Sequence, residues 1–391
     1  RALSTKAMAA ISTAQLSALS ASKVDKLNAG QVAALGTEQI ASLTTAQSSN
    51  LTTSQIDAMT SVQVKALQTA NLSKLGTDQI RALTSTNIAI LSTEQLSALT
   101  TAQMSKLTSD QVSALTAKQL TATSNAGIAA LAIDGVATLD GVQVRGLSSD
   151  QLKALTTGQA AALTSAAVSA MTSIQVSAME TADLAALNTQ AVQAMSASAL
   201  NNLSASQLNA LTSDQVKALT TDQLKAVTTT QISALSTAQA SNLTSAQVSA
   251  LSVRQVAALE TADVAALATS AVAALNTEQL NALSTAQIVA LNTLQISTLG
   301  TAQVAALTTS QVAALQTSDV AALSTNGIQA LTTSQLATLN TAQVRALSSA
   351  QVGKLTTSQL AVLSDVQVAA LDTVDLAQLS TDQVRALSTL G

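Results

Sequence analysis

The chain contains no cysteine, histidine, proline, tryptophan, tyrosine or phenylalanine. Without cysteine there is no disulfide framework, and the redox compartment cannot be inferred. Without histidine, cysteine and tyrosine, the side chains that usually serve as general acids, bases and nucleophiles are missing. Serine and threonine are abundant, but nothing beside them can act as a base. The chain therefore reads as non-catalytic, with no catalytic, cofactor-binding or metal-binding residue and no cofactor. The lack of aromatic residues also removes the commonest anchors of binding surfaces.

Charge is scarce too. Charged residues make up 10% of the 391, and the net charge is −4. That composition gives little drive toward nucleic acid or anionic lipid, both of which call for clustered Lys or Arg. Weak self-repulsion instead favours self-association, lateral or end-to-end, or contact with cell-surface or matrix components. No apolar run approaches the roughly 20 residues needed to span a membrane. Arg1-Ala2-Leu3 reads as the tail of a repeat and Ser388-Thr389-Leu390-Gly391 as the start of another, so we expect a segment of a longer protein.

What is present is one octad, copied throughout. Thr308-Thr309-Ser310-Gln311-Val312-Ala313-Ala314-Leu315 is a representative copy. Every eighth residue from Leu3 to Leu387 is apolar, in one phase without insertion or deletion, apart from Thr123. Ile11, Met59, Met171, Met179, Met195 and Val227 are mild substitutes for Leu. A second series, three residues before each Leu, is nearly always Val, Ile or Leu, with lapses at Ser48, Ala160 and Ala240.

Each octad carries its own helix-start signal. Thr308 sits where an N-cap belongs and Gln311 follows three residues later, the pattern of a capping box. Ser92, Thr100, Asn188, Gly300, Asp372 and Ser380 at the same slot fit the N-cap preference. Leu307 before the cap and Val312 after it form a hydrophobic staple. Acids follow the cap by two residues at Asp78, Asp150, Asp214, Asp222 and Asp382. Bases follow three later at Arg81, Lys153, Lys217, Lys225 and Arg385. Acid in the first turn and base in the last suits the helix dipole, and the i,i+3 spacing brings each pair together.

Three architectures compete for an eight-residue period. In a continuous helix, eight residues leave the Leu series turned by roughly 80° per repeat, so the apolar stripe winds all round the rod. In a strand, spacings of three and five put the two apolar series on opposite faces. Spacing of three suits one face of a helix. The prediction is an all-α solenoid of short helices of about two turns, one per octad, redirected at each Ser/Thr cap. A single octad cannot bury enough apolar surface to fold alone, so the helices must stack. Small Ala at the position before Leu, as at Ala250 and Ala306, lets neighbours approach. Three or four octads per turn, at helix spacings of about 8–10 Å, would give a rod on the order of 100–160 Å long.

The unbroken phase argues for one continuous solenoid over residues 1–391, with an irregular patch at 117–147. There Thr123 replaces Leu, Gly127 and Gly135 replace Gln, Ala132 and Asp140 take the cap slot, and Gly146 replaces Ala. The patch reads as drift in a tolerant repeat, or else as a hinge, a junction, or an ion site near Asp134 and Asp140. Asn326-Gly327 repeats the lapse on a smaller scale. Asp365, Asp372 and Asp375 crowd the last octads and supply the oxygens a Ca²⁺ site needs. Yet Asp372 fills a cap and Asp375 stands in for Gln, which favours a structural role. Asn50, Asn71, Asn202 and Asn242 open Asn-x-Ser/Thr sequons, which arise by chance in such a repeat; O-linked sugar on the Thr and Ser rows is the stronger modification reading. A periodic Thr array also raises ice binding, although the first hydroxyl of each pair is engaged as a cap.

Leu-Thr-Thr-x-Gln-Val-x-Ala-Leu, as at Leu307 to Leu315 and Leu331 to Leu339, resembles repeats of very large secreted or surface proteins of Gram-negative bacteria. Those proteins are often labelled adhesin-like or haem-utilisation-like. The resemblance covers the whole chain and implies an extracellular or cell-surface location and a structural role, as filament subunit or stalk. The haem label finds no support, because histidine and tyrosine are missing and the Met residues fall at core positions. An adhesin-type module recognising a glycan or peptide is the alternative.

Overall fold

The computed structural model describes residues 4–387. The fragments read at the two ends of the chain, 1–3 and 388–391, lie outside them. Among the described residues there are 48 α-helices and no strands. The helices run from four residues, as in Ala21–Val24, to seven in Thr381–Leu387, so each makes between one and two turns. The chain divides into two compact units, Arg1–Asn202 and Leu203–Gly391.

Helix starts follow the caps. In the helix Thr309–Ala314, the Thr308 hydroxyl accepts from the Gln311 N–H at 3.1 Å and Gln311 Oε1 accepts from the Thr308 N–H at 2.8 Å. Ser92, Thr100, Asp372 and Ser380 cap in the same way, while Asn188 makes only the first half, accepting from the Ala191 N–H at 2.8 Å. Gly300 lacks the side-chain oxygen, so only the half supplied by Gln303 remains.

Helix ends need no special residue. Leu307 has φ −57°, ψ 140° and Thr308 has φ −69°, ψ 157°; two extended residues in a row redirect the chain. Among the described residues no φ is positive and no peptide is cis. That is why a molecule with a turn every eight residues manages without proline and with only 12 glycines.

Within each unit, helices pack on the helices three octads away. Thr309–Ala314 lies against Thr285–Ala290 on one side and Thr333–Ala337 on the other. The two apolar series form the core: Val312 is 1% and Leu315 4% exposed, and Leu307 is equally buried. The two-series solenoid pattern holds in both units, from Val32 and Leu35 to Leu360 and Leu363.

The irregular patch stays helical, through Asn125–Ala130, Ile133–Val136 and Gly141–Arg145. Thr123 is buried in its Leu slot and its hydroxyl donates to the Gln119 carbonyl at 3.0 Å, which disposes of the polar group locally. Gly141 and Gly146 mark close approaches: a Cβ would lie 2.7 Å from the Ala170 Cβ and 2.8 Å from the Ala117 Cβ respectively. Of the five expected i,i+3 ion pairs, Asp222–Lys225 and Asp382–Arg385 close, each at 3.3 Å. Such exposed pairs contribute only about 0.2–0.5 kcal/mol on a helix, which does little against the entropy of two long side chains.

Candidate functional site

The feature repeated most faithfully, after the core, is the glutamine. Its Oε1 closes the capping box of its own helix, and its Nε2 does something no local pattern requires. Gln311 Nε2 donates to the carbonyls of Leu280 at 3.0 Å, Asn281 at 3.3 Å and Leu283 at 2.7 Å. These carbonyls end the helix Thr277–Asn281, four octads earlier. The last carbonyls of an α-helix have no partner within it. One amide therefore caps the start of its own helix and the end of another.

The same bonds recur at offsets of 28 and 31 residues. Gln47 reaches Leu16 and Leu19, Gln151 reaches Leu120 and Thr123, and Gln351 reaches Val320 and Leu323. Helices pack three octads apart while the amides reach four octads back, so a turn takes between three and four octads. The amides are sealed: Gln279 and Gln295 are fully buried. A buried amide with three hydrogen bonds is satisfied, and its loss would strand several polar groups at once.

A signal for these rungs is in the sequence. A capping box takes Glu as readily as Gln, and Glu suits the helix N-terminus better. Yet this slot is never Glu in the chain. An amide accepts at one end and donates at the other, which an ionised carboxylate does not.

Asparagine does the second half of this job with a shorter arm. Asn71 Nδ2 donates to the Leu43 carbonyl at 2.8 Å and Asn87 Nδ2 to the Met59 carbonyl at 3.1 Å. Aspartate cannot donate when ionised. Asp183, Asp263, Asp319 and Asp375 occupy the slot and are buried. Burial raises the carboxyl pKa of Asp183, Asp263 and Asp319 above the ordinary value. The Thr157 and Thr237 hydroxyls draw the first two partly back down.

The other candidates fall into structural places. Asp372 Oδ1 accepts from the Asp375 N–H at 2.8 Å, and Asp375 Oδ2 accepts from the Asp372 N–H at 3.3 Å, while Asp365 opens the helix Asp365–Val368 on the surface. Asp140 caps Gly141–Arg145, accepting from the Gln143 N–H at 2.8 Å, and Asp134 is exposed in the first turn of Ile133–Val136. No group of three or more acidic side chains converges among the described residues. Asn71 is sealed as a rung, which removes it as a glycosylation acceptor, whereas Asn50 and Asn242 lie at helix C-termini and donate to the Ala46 and Ala238 carbonyls. No helix among the described residues is long and apolar enough to cross a membrane.

A model of the ALTTAQ repeat matches residues 8–45, 32–69, 56–93, 176–213, 192–221, 200–229, 216–253, 256–293, 288–317, 312–344 and 335–365. Merged, the matches cover 8–93, 176–253 and 256–365, well over half of the chain. The chain belongs to the ALTTAQ repeat family. The 94–175 interval, which holds the irregular patch, lies outside the matches, although its helices keep the same period. No curated protein matches the chain. Within the ALTTAQ repeat, the Gln that closes each copy of the motif is the residue whose amide ties one turn to another.

Proposed function

We propose that this ALTTAQ repeat chain is a structural element outside the cell, a non-catalytic stalk or filament subunit that holds distance. The observation that carries the reading is the amide ladder. Buried, doubly bonded Gln side chains repeat along both units, so the chain's chemistry is spent on joining its own turns. The surface around them is Ser, Thr and Ala with few charges. Extracellular placement and a filament or stalk role rest on the likeness to repeats of giant surface proteins. Weak surface charge supports association with copies of itself or with surface material.

Electron microscopy of the purified chain at high concentration tests this. Rods or fibres with a regular axial repeat are the expected result, and compact globular particles would contradict it. A place for the adhesin reading to act is an open cleft of about 580 Å³ lined by Asp140, Val142, Arg145 and Ala170, with Val142 71% exposed. Saturable binding on a glycan array, lost in Arg145→Ala, would move the function there.

A further inference from the structure

Where Asp replaces Gln, an oxygen stands in a place built for a donor. Asn71 shows that a side chain of this length reaches the carbonyl 28 residues earlier, at 2.8 Å. The corresponding carbonyls are those of Leu155 for Asp183, Leu235 for Asp263 and Leu291 for Asp319. An ionised carboxylate with an oxygen in that place would set oxygen against oxygen in a sealed site, which is unfavourable; at Asp319 the other oxygen keeps the acceptor's role, taking the Gln316 N–H at 3.1 Å. Asp263 is 1% exposed, and its Oδ2 is buried without a hydrogen-bond partner. A neutral carboxyl has the Asn shape and one O–H to give.

We propose that Asp183, Asp263 and Asp319 are proton-operated rungs: protonated, each donates to the carbonyl 28 residues earlier and joins the turns as Asn71 does, and ionised, it releases them.

The charged surroundings favour the neutral form at two of the three. Asp183 and Asp263 sit in identical Glu-Thr-Ala-Asp starts, with Glu180 and Glu260 three residues away as like charges. The helices packed on Thr261–Ala266, which are Thr237–Ser241 and Thr285–Ala290, carry no charged residue. Thr157–Ala161, packed on Thr181–Ala186, carries none either, and the helix that ends near Leu155 holds Asp150 and Lys153. Around Asp319, the neighbouring Thr293–Ser297 is uncharged and Thr341–Arg345 holds Arg345.

The sign follows from linkage. A carboxyl whose pKa is raised by folding binds its proton more tightly in the folded chain. Its contribution to stability is lowest at neutral pH. It grows as pH falls from the raised value to the ordinary 3.8, and below that gains nothing more. This is the reverse of ordinary acid denaturation. Glu94, held below its usual pKa by its own N–H and the Ser92 and Thr93 hydroxyls, works the other way.

The experiment is urea unfolding of the full chain from neutral pH down to about 4, for wild type and for the triple variant Asp183→Asn, Asp263→Asn, Asp319→Asn. The expected result is a triple variant with the higher midpoint at neutral pH and a gap that closes on acidification. Parallel pH profiles would overturn the proposal. So would a saturable rise of the wild-type midpoint with Ca²⁺ or Na⁺ at neutral pH, absent in the variant, because a cation and not a proton would then fill the site. Should the variant fail to fold, carbon-13 titration of the wild-type Asp carboxyls decides instead. Three carboxyls titrating above the ordinary range are expected, and their absence would refute the assignment.

Discussion

Two stretches of the chain have the same core and different ladders. In 335–367, Gln335, Gln343, Gln351, Gln359 and Gln367 follow one another, and each amide donates to the preceding turn. In 181–201, the last octads of the first unit, the same slot holds Asp183, Ala191 and Ala199. Apolar burial does not distinguish them: Leu336, Val344 and Leu360 are fully buried, and so are Leu184, Val192 and Leu200. The hydrophobic pattern alone is therefore enough to give helix and solenoid. The amide adds a directional tie between turns, and the chain uses it unevenly.

Removing a rung from the tied stretch is the strongest way to break that comparison. Gln343→Leu leaves the Asn340 N–H without its acceptor and the Val312, Ala313 and Leu315 carbonyls without their donor. A loss on the order of 2–4 kcal/mol is expected, since each stranded buried group costs about 1–3. Urea unfolding with hydrogen exchange at 312–315 reads it, and a loss below about 0.5 kcal/mol would show the rung to be ornamental.

Adding a rung at a slot without an amide should work in reverse. Asp183→Gln supplies the donor for the Leu155 carbonyl and removes a buried carboxylate, for a gain of roughly 1–2 kcal/mol at neutral pH. A lower unfolding midpoint in that variant would mean the helices there have closed over the space an amide needs.

Ser48 separates polar lapses in the core from lapses in the ladder. It sits fully buried in a Val slot, and its hydroxyl has no partner. Ser48→Ala removes the stranded group with little change in volume and should stabilise by about 1 kcal/mol. No change in midpoint would imply that the hydroxyl finds water.

The mildest expected effect is Gln343→Asn, under roughly 1 kcal/mol. Asn71 and Asn87 already make the contact 28 residues back, although neither carries the reciprocal cap bond that Gln343 makes to Asn340. If Gln343→Asn proved as damaging as Gln343→Leu, the reach of the shorter amide would depend on local adjustments absent at 343.

Most of the fold was legible in the residues. Period, caps and the two apolar series are local, and local chemistry fixed each short helix and its burial. Half of the glutamine was legible as well, because the capping box spans only three residues. The other half was hidden by distance: nothing in a window of eight says that Nε2 meets a carbonyl 28 residues earlier. The number of octads per turn was hidden for the same reason, since it depends on how helices nest rather than on how each begins. Charge placement misled in degree. Asp78 and Arg81 have the right spacing, but exposed pairs are too weak for spacing to ensure contact. Asp372 and Asp375 resolved as a cap and its partner, as their slots implied.

The central claim is that the amide ladder, more than the apolar core, decides where the turns hold. Hydrogen exchange along the intact wild-type chain at neutral pH tests it most directly. Backbone amides in 304–339, where the carbonyls are held by Gln335 to Gln367, are expected to exchange through rarer openings than those in 152–171, which face Asp183, Ala191 and Ala199, despite equal apolar burial. Equal protection in the two stretches, or greater protection in 152–171, would contradict it.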